Sequence, residues 1–398
     1  MRRAAILTLL CVAAAVPARA QSLYSTRGLG APVAPVDARA RALGGIQTGL
    51  IGFSLGMGNP ADAAGIVYRG ALATIQPSTR NMELDGQSST VSGTRFPLVR
   101  ALFPFRNRFV ASLGFGSYLD QTWGVIRSST EVLGDESVNV QDMVRSTGGI
   151  SQVRLGVSYS LSPSFAVGVA GGAYVGGLDR EVTRSFPDSA NANLAGFTSR
   201  VSWGERAPLV SVGARWDPAS IVRVGAGVTW GGTLHARGDT VTALDRSFSL
   251  PTEVTAGASA ILAPRLLLAV GGSWAGWSRA ANDFRTEAFG DPGVPAANIT
   301  ARNTFDVGGG LEYTGLRTES RVYPLRLGYH RSQYPFFAQG EAPANEWSAS
   351  GGIGYRIAGQ EASPVVAADL AVERGGRSGG PLTESFWRLT ASIALFGR

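Results

Sequence analysis

The chain has 398 residues, 36 basic and 29 acidic side chains, and a formal net charge of +7. No dense basic block of the kind that binds nucleic acid is present, so we expect no nucleic-acid partner. The two histidines, His235 and His330, lack the spacing of metal ligands. We therefore expect no metal, no cofactor and no enzymatic activity.

The first 20 residues have the pattern of a secretory signal peptide. Met1-Arg2-Arg3 precedes an apolar run over 4–16, and Ala18-Arg19-Ala20 has the form of a cleavage site. We expect residues 1–20 to be removed during export. The single cysteine, Cys11, lies in this segment, so no disulfide is expected in the mature chain.

Residues 21–65 show neither alternation nor helical periodicity. Glycine and proline recur along the segment, and short apolar stretches sit among small residues. The segment is poorly suited to a membrane strand, yet it is too apolar for a free tail. We predict that it forms a hatch, a plug inside the structure that the rest of the chain builds.

Residues 66–398 consist of runs in which apolar residues alternate with small or polar ones. Leu266, Leu268 and Val270 share one parity, and Ala269, Gly271 and Ser273 share the other. Successive side chains of a strand point to opposite faces, so each run has one apolar face. Few helical segments are available to cover that face, which favours a closed barrel in lipid over a soluble β-sandwich.

We therefore predict an all-β fold, a 14-stranded antiparallel transmembrane β-barrel over residues 66–398 with the hatch in its lumen. The predicted strands are 66–80, 86–103, 108–131, 137–161, 164–186, 196–217, 220–238, 240–262, 265–287, 302–318, 321–335, 345–358, 363–375 and 384–397. Short turns follow the even-numbered strands, and long loops at 187–195, 288–301 and 336–344 follow odd-numbered ones. This asymmetry is typical of short periplasmic turns and longer outer loops. Five tryptophans with the parity of the apolar face are expected on its outer half: Trp123, Trp230, Trp274, Trp347 and Trp387.

Three stretches carry a family resemblance by their order along the chain. They are ARARALGGIQTGL at 38–50 with Gly58-Asn59-Pro60-Ala61, the hairpin GASAILAPRLLLAVGGSWAGWSR at 257–279, and the closing strands from FDVGGGLEY at 305–313 to SASGGIGYRI at 348–357. Together they resemble the FadL family of bacterial outer-membrane channels for long-chain fatty acids and aromatic hydrocarbons. The closing strands are also similar to PorV-like relatives, which serve protein secretion.

The resemblance implies a fourteen-stranded barrel with an N-terminal hatch, in the bacterial outer membrane. It also implies passive uptake of hydrophobic small molecules through an apolar lumenal pocket with a lateral exit. Candidate pocket residues are the apolar side chains of the hatch, whose alternative interpretation is simple packing against the wall: Ile46, Leu50, Phe53, Leu55 and Met57. The hatch turn is Asn59, Pro60 and Ala61, with Asp62 where the family has glycine.

Two further sets of residues are candidates for function. A break in the wall for lateral exit is predicted at Pro97, which removes a ladder hydrogen-bond donor, or at Gly114 and Gly116, and a tolerated irregularity or a tight hatch contact is the alternative. Arginines near the outer strand ends could bind anionic groups of lipid or lipopolysaccharide, or form a solvated rim balanced by acids. These arginines are Arg180, Arg184, Arg279 and Arg285.

The predicted partners are thus a hydrophobic small-molecule ligand and the lipids and lipopolysaccharide of the outer membrane. We expect a monomer. The alternatives are a PorV-like accessory barrel with a secretion partner protein and a barrel with a purely structural role.

Overall fold

The computed structural model describes residues 22–52, 55–84, 86–106, 108–133, 135–187, 194–239, 245–286, 299–358 and 364–397. The predicted signal peptide and Phe53 lie outside the described residues, and Arg285 lies outside the described side chains. Among the described residues, no helix is long and apolar enough to span a bilayer.

Fourteen antiparallel strands form one closed sheet, which confirms the predicted barrel. The strands are β1 Arg69–Leu84, β2 Gln87–Phe105, β3 Phe109–Asp120 and Trp123–Leu133, β4 Glu136–Ser160, β5 Phe165–Ser185, β6 Phe197–Ala219, β7 Val222–Gly231 and Thr233–Gly238, β8 Arg246–Ser249 and Thr252–Ala263, β9 Leu266–Ala275, β10 Thr304–Tyr313, β11 Leu325–Gln333, β12 Asn345–Ala358, β13 Pro364–Gly379 and β14 Leu382–Gly397. Each strand pairs with the next, and β14 pairs with β1 from Gly397 opposite Arg69 to Leu382 opposite Leu84. Closure leaves no free sheet edge.

The alternation of the sequence becomes an inside and an outside. In β14, Leu389 and Leu395 are exposed on the outer face, whereas Thr390 and Ser392 are buried on the inner face. Exposed large apolar residues occur on the outer face of most strands, and Trp230, Trp347 and Trp387 are among them. An apolar outer surface with a polar interior is the arrangement that a bilayer requires of a barrel.

Trp123 does not follow the prediction, because it is only 3 % exposed and packs against Val144 and Val182. Strand β3 is interrupted at Gln121 and Thr122, between its two segments. The register with β4 is unchanged across this interruption, but it shifts by one residue between Ser117 and Leu119, and such a bulge reverses the parity of the residues that follow it. Trp123 therefore points inwards although its position in the uninterrupted pattern was outward.

Strand β9 ends at Ala275, twelve residues before its predicted end at residue 287. A 3₁₀-helix at Trp277–Arg279 and the helix α2 at Ala280–Thr286 follow it. Trp277, Ala280 and Phe284 recur at helical spacing and are all buried in one aromatic cluster. The predicted strand was therefore too long, because the buried residues after Ala275 follow helical spacing rather than the alternation of the preceding strand.

The N-terminal segment from residue 22 to 64 packs on the inner faces of strands all around the barrel. It contains a 3₁₀-helix at Leu23–Thr26, the short helix α1 at Ala38–Ala42 and a second 3₁₀-helix at Pro60–Ala63. Helix α1 lies against β11, β12, β13 and β14, and Pro60–Ala63 lies against β4, β5, β6 and β7. Contacts on both sides of the barrel place the segment across the lumen.

Shorter pairings complete the fold at the strand ends. Ala31–Pro32 of the N-terminal segment pairs with β3, and Arg321–Val322 pairs with β12. Ile299–Ala301 pairs with Phe336–Ala338 in a separate two-stranded sheet. This small sheet belongs to the predicted long-loop end, and it contributes Phe336 and Ala301 to the aromatic cluster that contains Trp277.

Candidate functional site: a plugged lumen

Helix α1 is fixed to the wall by buried ion pairs. Arg39 donates from Nε and Nη2 to the two carboxylate oxygens of Glu312 in β10, at 2.8 and 2.9 Å. Arg326 of β11 donates to the same carboxylate at 2.6 Å and to Asp369 at 2.6 Å. Glu312 therefore neutralises one arginine of the hatch and one of the wall in a site where both are almost fully buried.

Burial and neighbouring charges shift the pKa values of the charged groups at α1. Burial alone would lower the pKa of the Arg39 guanidinium, but the charge and hydrogen bonds of Glu312, together with the charges of Asp37 and Asp369, outweigh it and raise that pKa above its ordinary value. Burial raises the pKa of the Asp37 carboxyl, which caps α1 by accepting from the Ala40 amide at 2.8 Å. The charge of Arg39 is thus compensated inside the barrel.

A second ion network joins the start of the hatch to the last strands. Arg377 pairs with Glu346 and with Glu384, the latter at 3.1 Å, and Ser22 donates to Glu384 at 2.8 Å. Arg388 of β14 donates to Glu373 at 2.8 Å. Because Ser22 precedes the first 3₁₀-helix, the network holds the hatch where it enters the described structure.

Arginines of the wall also satisfy the irregular backbone of the hatch. Arg154 donates to the Met57 carbonyl at 3.0 Å, and Arg215 donates to the Ala64 carbonyl at 2.6 Å. Arg100 donates to the Gly56 carbonyl, and Arg223 to the Leu50 carbonyl at 3.1 Å. Backbone groups that are neither helical nor in a sheet need such partners when water is excluded.

The predicted hatch turn reaches the wall through its asparagine. Asn59 caps the 3₁₀-helix by accepting from the Ala61 amide at 2.9 Å, and it donates to the Ala214 carbonyl of β6 at 2.9 Å. A Cβ at Gly213 would overlap the Asn59 side chain, and one at Gly168 would lie 2.5 Å from the Pro60 carbonyl carbon. Glycine in the wall is therefore what allows the turn to approach.

Replacing Asn59 by alanine removes both the cap and the contact with Ala214. We expect a loss of about 0.5–2 kcal/mol in stability, the usual cost of losing such a cap. The loss is measured as a lower midpoint of urea unfolding in detergent. An unchanged midpoint would mean that the turn does not depend on this side chain.

The predicted pocket residues lie at two places in the packing. Ile46 and Leu50 belong to a cluster with Val36, Leu43 and Ala269 of the wall. Leu55 and Met57 belong to another cluster, which reaches Phe396 at the end of β14. Of the described candidates, Met57 borders an internal cavity, and Ile46, Leu50 and Leu55 are 2 % exposed or less.

Two small cavities lie between the hatch and the wall. The aromatic cavity, of about 80 Å³, is bordered by Met57, Tyr118, Trp274 and Trp277. The arginine cavity, of about 70 Å³, is lined by four arginines and two acids, which are Arg41, Arg95, Arg377, Arg388, Asp306 and Glu346. Ser273 borders both cavities, so the two are adjacent.

The hydrogen-bond ladder of the wall is interrupted beside the arginine cavity. The ladder between β1 and β14 stops at Ile75 opposite Ala391 and resumes at Ser78 opposite Arg388. Pro77 lies in the gap and has no N–H to donate, and Gln76 instead donates from its side chain to Thr390 at 2.9 Å. Arg388 borders both the arginine cavity and a cavity of about 480 Å³ on the outer face.

The residues predicted for the lateral opening lie close to this gap or against the hatch. The register between β1 and β2 shifts at Thr74 and Gln76, where Phe96 and Pro97 interrupt the pairing. A Cβ at Gly114 would meet Met57, and one at Gly116 would lie 2.7 Å from Pro35. Both glycines therefore accommodate the hatch, and the interrupted ladder lies between β14, β1 and β2.

Those predicted rim arginines whose side chains the structure describes do not form one surface. Arg184 donates to Asp142 at 2.7 Å and to Glu131 at 3.0 Å. The Arg180 guanidinium lies over the rings of Trp123 and Trp203, at 5.8 and 5.9 Å from their centroids. Arg279 is exposed on the 3₁₀-helix after β9.

Sequence reasoning missed the charged inner wall. Arg100, Arg154, Arg215, Arg326 and Arg388 each have the parity of the buried positions of their strand, which is a signal in the sequence. A charged residue with inward parity in a barrel strand predicts a lumenal partner. Their partners could not be read from the sequence, because they depend on strand register and on the path of the hatch.

Comparison with known proteins gives a family and a fold. A family model described as BamG matches residues 1–202, which is just over half of the chain. The chain belongs to the BamG family. No curated protein matches it. Membership by sequence thus differs from the predicted FadL family, and the resemblance to that family is one of fold.

Solved structures share the fold of this BamG-family barrel at low sequence identity. A FadL homologue of Pseudomonas aeruginosa is 14 % identical, with a TM-score of 0.61 over 92 % of this chain and 99 % of that one. The toluene transporter TodX of P. putida is 12 % identical, with a TM-score of 0.56 over 93 % of this chain and 100 % of that one. The toluene transporter TbuX of Ralstonia pickettii is 16 % identical, with a TM-score of 0.55 over 92 % of this chain and 99 % of that one.

Proposed function

We propose that the protein is a channel of the bacterial outer membrane that passively takes up hydrophobic small molecules, preferably amphiphiles with an acidic headgroup such as long-chain fatty acids. The observation that carries the proposal is the position of Arg388. This residue lines the arginine cavity and also the outer-face cavity, at the place where the ladder between β1 and β14 is interrupted, and its side chain lies on the inner face. We infer that the cargo passes from the plugged lumen to the lipid at this residue.

The chemistry of the two cavities favours an acidic amphiphile over a neutral hydrocarbon. Aromatic residues border the first cavity beside Arg154, Glu253 and Asp306 and suit an alkyl or aryl tail, whereas four arginines and two acids line the second. Guanidinium groups bind carboxylates with charge-assisted hydrogen bonds. Arg377 and Arg388 already pair with Glu346, Glu384 and Glu373, so an acidic headgroup would share these guanidinium groups with the acids of the wall.

Transport also requires the hatch to move. The cavities of about 70 and 80 Å³ are smaller than the ~300–1,000 Å³ of typical small-molecule sites. We infer that the cargo displaces part of the segment around Gln47, which borders both cavities, before it reaches Arg388.

Uptake of labelled oleate and toluene tests the proposal in cells that lack their own outer-membrane fatty-acid channel. We expect saturable oleate uptake that is lost in Ser273→Phe, because the added ring fills the junction of the two cavities. The control Ser320→Phe places the same ring in an exposed turn and should retain uptake. Oleate uptake no higher than in cells without the channel, or equal in both variants, would contradict the proposal.

The smallness of both cavities also favours a second candidate, the PorV-like accessory barrel. In that case the lumen stays plugged and the outer surface binds a secreted protein. Co-purification of a polypeptide with a barrel that takes up neither oleate nor toluene would favour this function.

A further inference from the structure

A second concave surface lies on the outer face of the barrel, below the interrupted ladder. It is an apolar groove of about 610 Å³ across β1, β14, β13 and β12. Small residues form its floor and aromatic residues stand beside it, and these are Ala73, Ala368, Ala391, Phe96, Tyr323 and Tyr355. We call this surface the outer groove.

The outer groove is separate from the lumen and faces the bilayer. Its neighbours Ile353 and Leu370 are 47 % and 40 % exposed on the outer face. Its volume lies within the ~300–1,000 Å³ range of small-molecule sites. A concave apolar surface of this size in contact with lipid suits an acyl chain.

The edge of the barrel that carries the short turns, where this groove ends, is positively charged. Among the described residues of that edge, six arginines are exposed against one exposed acid, Glu319. The arginines are Arg69, Arg106, Arg108, Arg265, Arg317 and Arg321. Such an edge is complementary to anionic headgroups in the leaflet that meets it.

Arg321 is the cation best placed for the outer groove. It pairs with Ile357 of β12, and paired residues of a ladder project from the same face of the sheet. Ile357 has the parity of Ile353 and Tyr355, so Arg321 lies on the outer face beyond them. Tyr323, which lines the groove, follows Arg321 by two residues, or about 6.5–7 Å along an extended chain.

The two tyrosines mark the depth at which the groove meets the membrane interface. Their ring centroids are 5.6 Å apart. Tyrosine favours the interface because its ring is apolar and its hydroxyl is polar. The apolar groove, the tyrosine pair and the arginine thus follow one another from the hydrocarbon towards the headgroups.

We propose that the outer groove binds one phospholipid of the leaflet that meets the short turns. An acyl chain lies over Ala368 and Ala391, and the phosphate accepts hydrogen bonds from the Arg321 guanidinium. Along the strands, the apolar floor, the tyrosine pair and Arg321 follow one another in the same order as the acyl chain, the interfacial region and the phosphate of a phospholipid. This binding is independent of transport through the lumen.

Native mass spectrometry of the full barrel tests the proposal, with phosphatidylglycerol titrated into detergent-solubilised protein. We expect one lipid to bind more tightly than the rest. Ala368→Trp fills the groove, and Arg321→Glu reverses the charge of the side chain at residue 321. Each substitution should lower the affinity for that lipid about tenfold, equivalent to ~1.4 kcal/mol. The controls are Ala214→Trp on the outer face of β6 and Arg265→Glu at another short turn, and both should bind as the unmodified protein does.

The responses of the variants distinguish a phospholipid in the outer groove from other occupants of the groove and from a lipid in the lumen. Equal lipid binding by all four variants would overturn the proposal, as would a groove occupied by free fatty acid or by a polypeptide that Ala368→Trp displaces. Ser273→Phe should leave the phospholipid in place while it abolishes oleate uptake. Loss of the phospholipid from Ser273→Phe would assign the lipid to the lumen and contradict the groove.

Discussion

Replacing Glu312 by glutamine is expected to open the barrel to ions. The substitution leaves Arg39 and Arg326 buried without their shared counter-charge, and breaking a buried pair in this way costs about 3–5 kcal/mol. Arg39 is the partner that can move, because it belongs to helix α1 of the hatch. The hatch should therefore leave its site in part of the population.

The measurement is ion conductance in planar bilayers. We expect frequent large openings for Glu312→Gln and rare ones for the unmodified barrel. Arg39→Met should also release the hatch, but it keeps the pair between Glu312 and Arg326 and should destabilise the wall less. Glu319→Gln, in an exposed turn, is the control, and equal conductance in it and in Glu312→Gln would contradict the role of the ion pair.

Replacing Gly308 by alanine is expected to have a comparable effect through packing alone. A Cβ at Gly308 would overlap the Gly44 carbonyl, a backbone atom that cannot rotate away. Gly44 itself has a φ of +82° and lies against Gly309 and Tyr329, so the loop has little room to shift. Overpacking of this kind typically costs about 1–3 kcal/mol.

The loss is measured as a lower midpoint of thermal unfolding, together with increased conductance. Gly204→Ala is the matched control, because a Cβ there meets no atom within 4 Å. If both variants unfold at the same temperature and conduct equally, the close approach between hatch and wall is not what fixes the plug.

The sequence was informative about the barrel because alternation is local. Each strand needs only its own parity and a turn at each end, so fourteen strands could be counted from the pattern alone. The same rule could not detect the register shift between Ser117 and Leu119, after which Trp123 points inwards. It also extended β9 into α2, where helical spacing of Trp277, Ala280 and Phe284 takes over.

The lumen was harder to predict because its contacts join distant parts of the chain. The sequence shows three consecutive glycines, Gly308-Gly309-Gly310, within a strand. The structure explains Gly308 and Gly310, because the backbone of the hatch at Leu43 and Gly44 lies directly against them. Likewise, Arg39 and Glu312 are 273 residues apart in the chain. Parity shows that such residues face inwards, whereas only the register and the hatch path show which ones meet.

Lipid extraction and native mass spectrometry of the gently purified barrel are the sharpest test of whether the lumen takes up a hydrophobic cargo. We predict one fatty acid per barrel in addition to the phospholipid of the outer groove, and this fatty acid should be present in the unmodified protein and in Ala368→Trp and absent from Ser273→Phe. A barrel with an empty lumen and a bound polypeptide would contradict it and favour the accessory role in protein secretion.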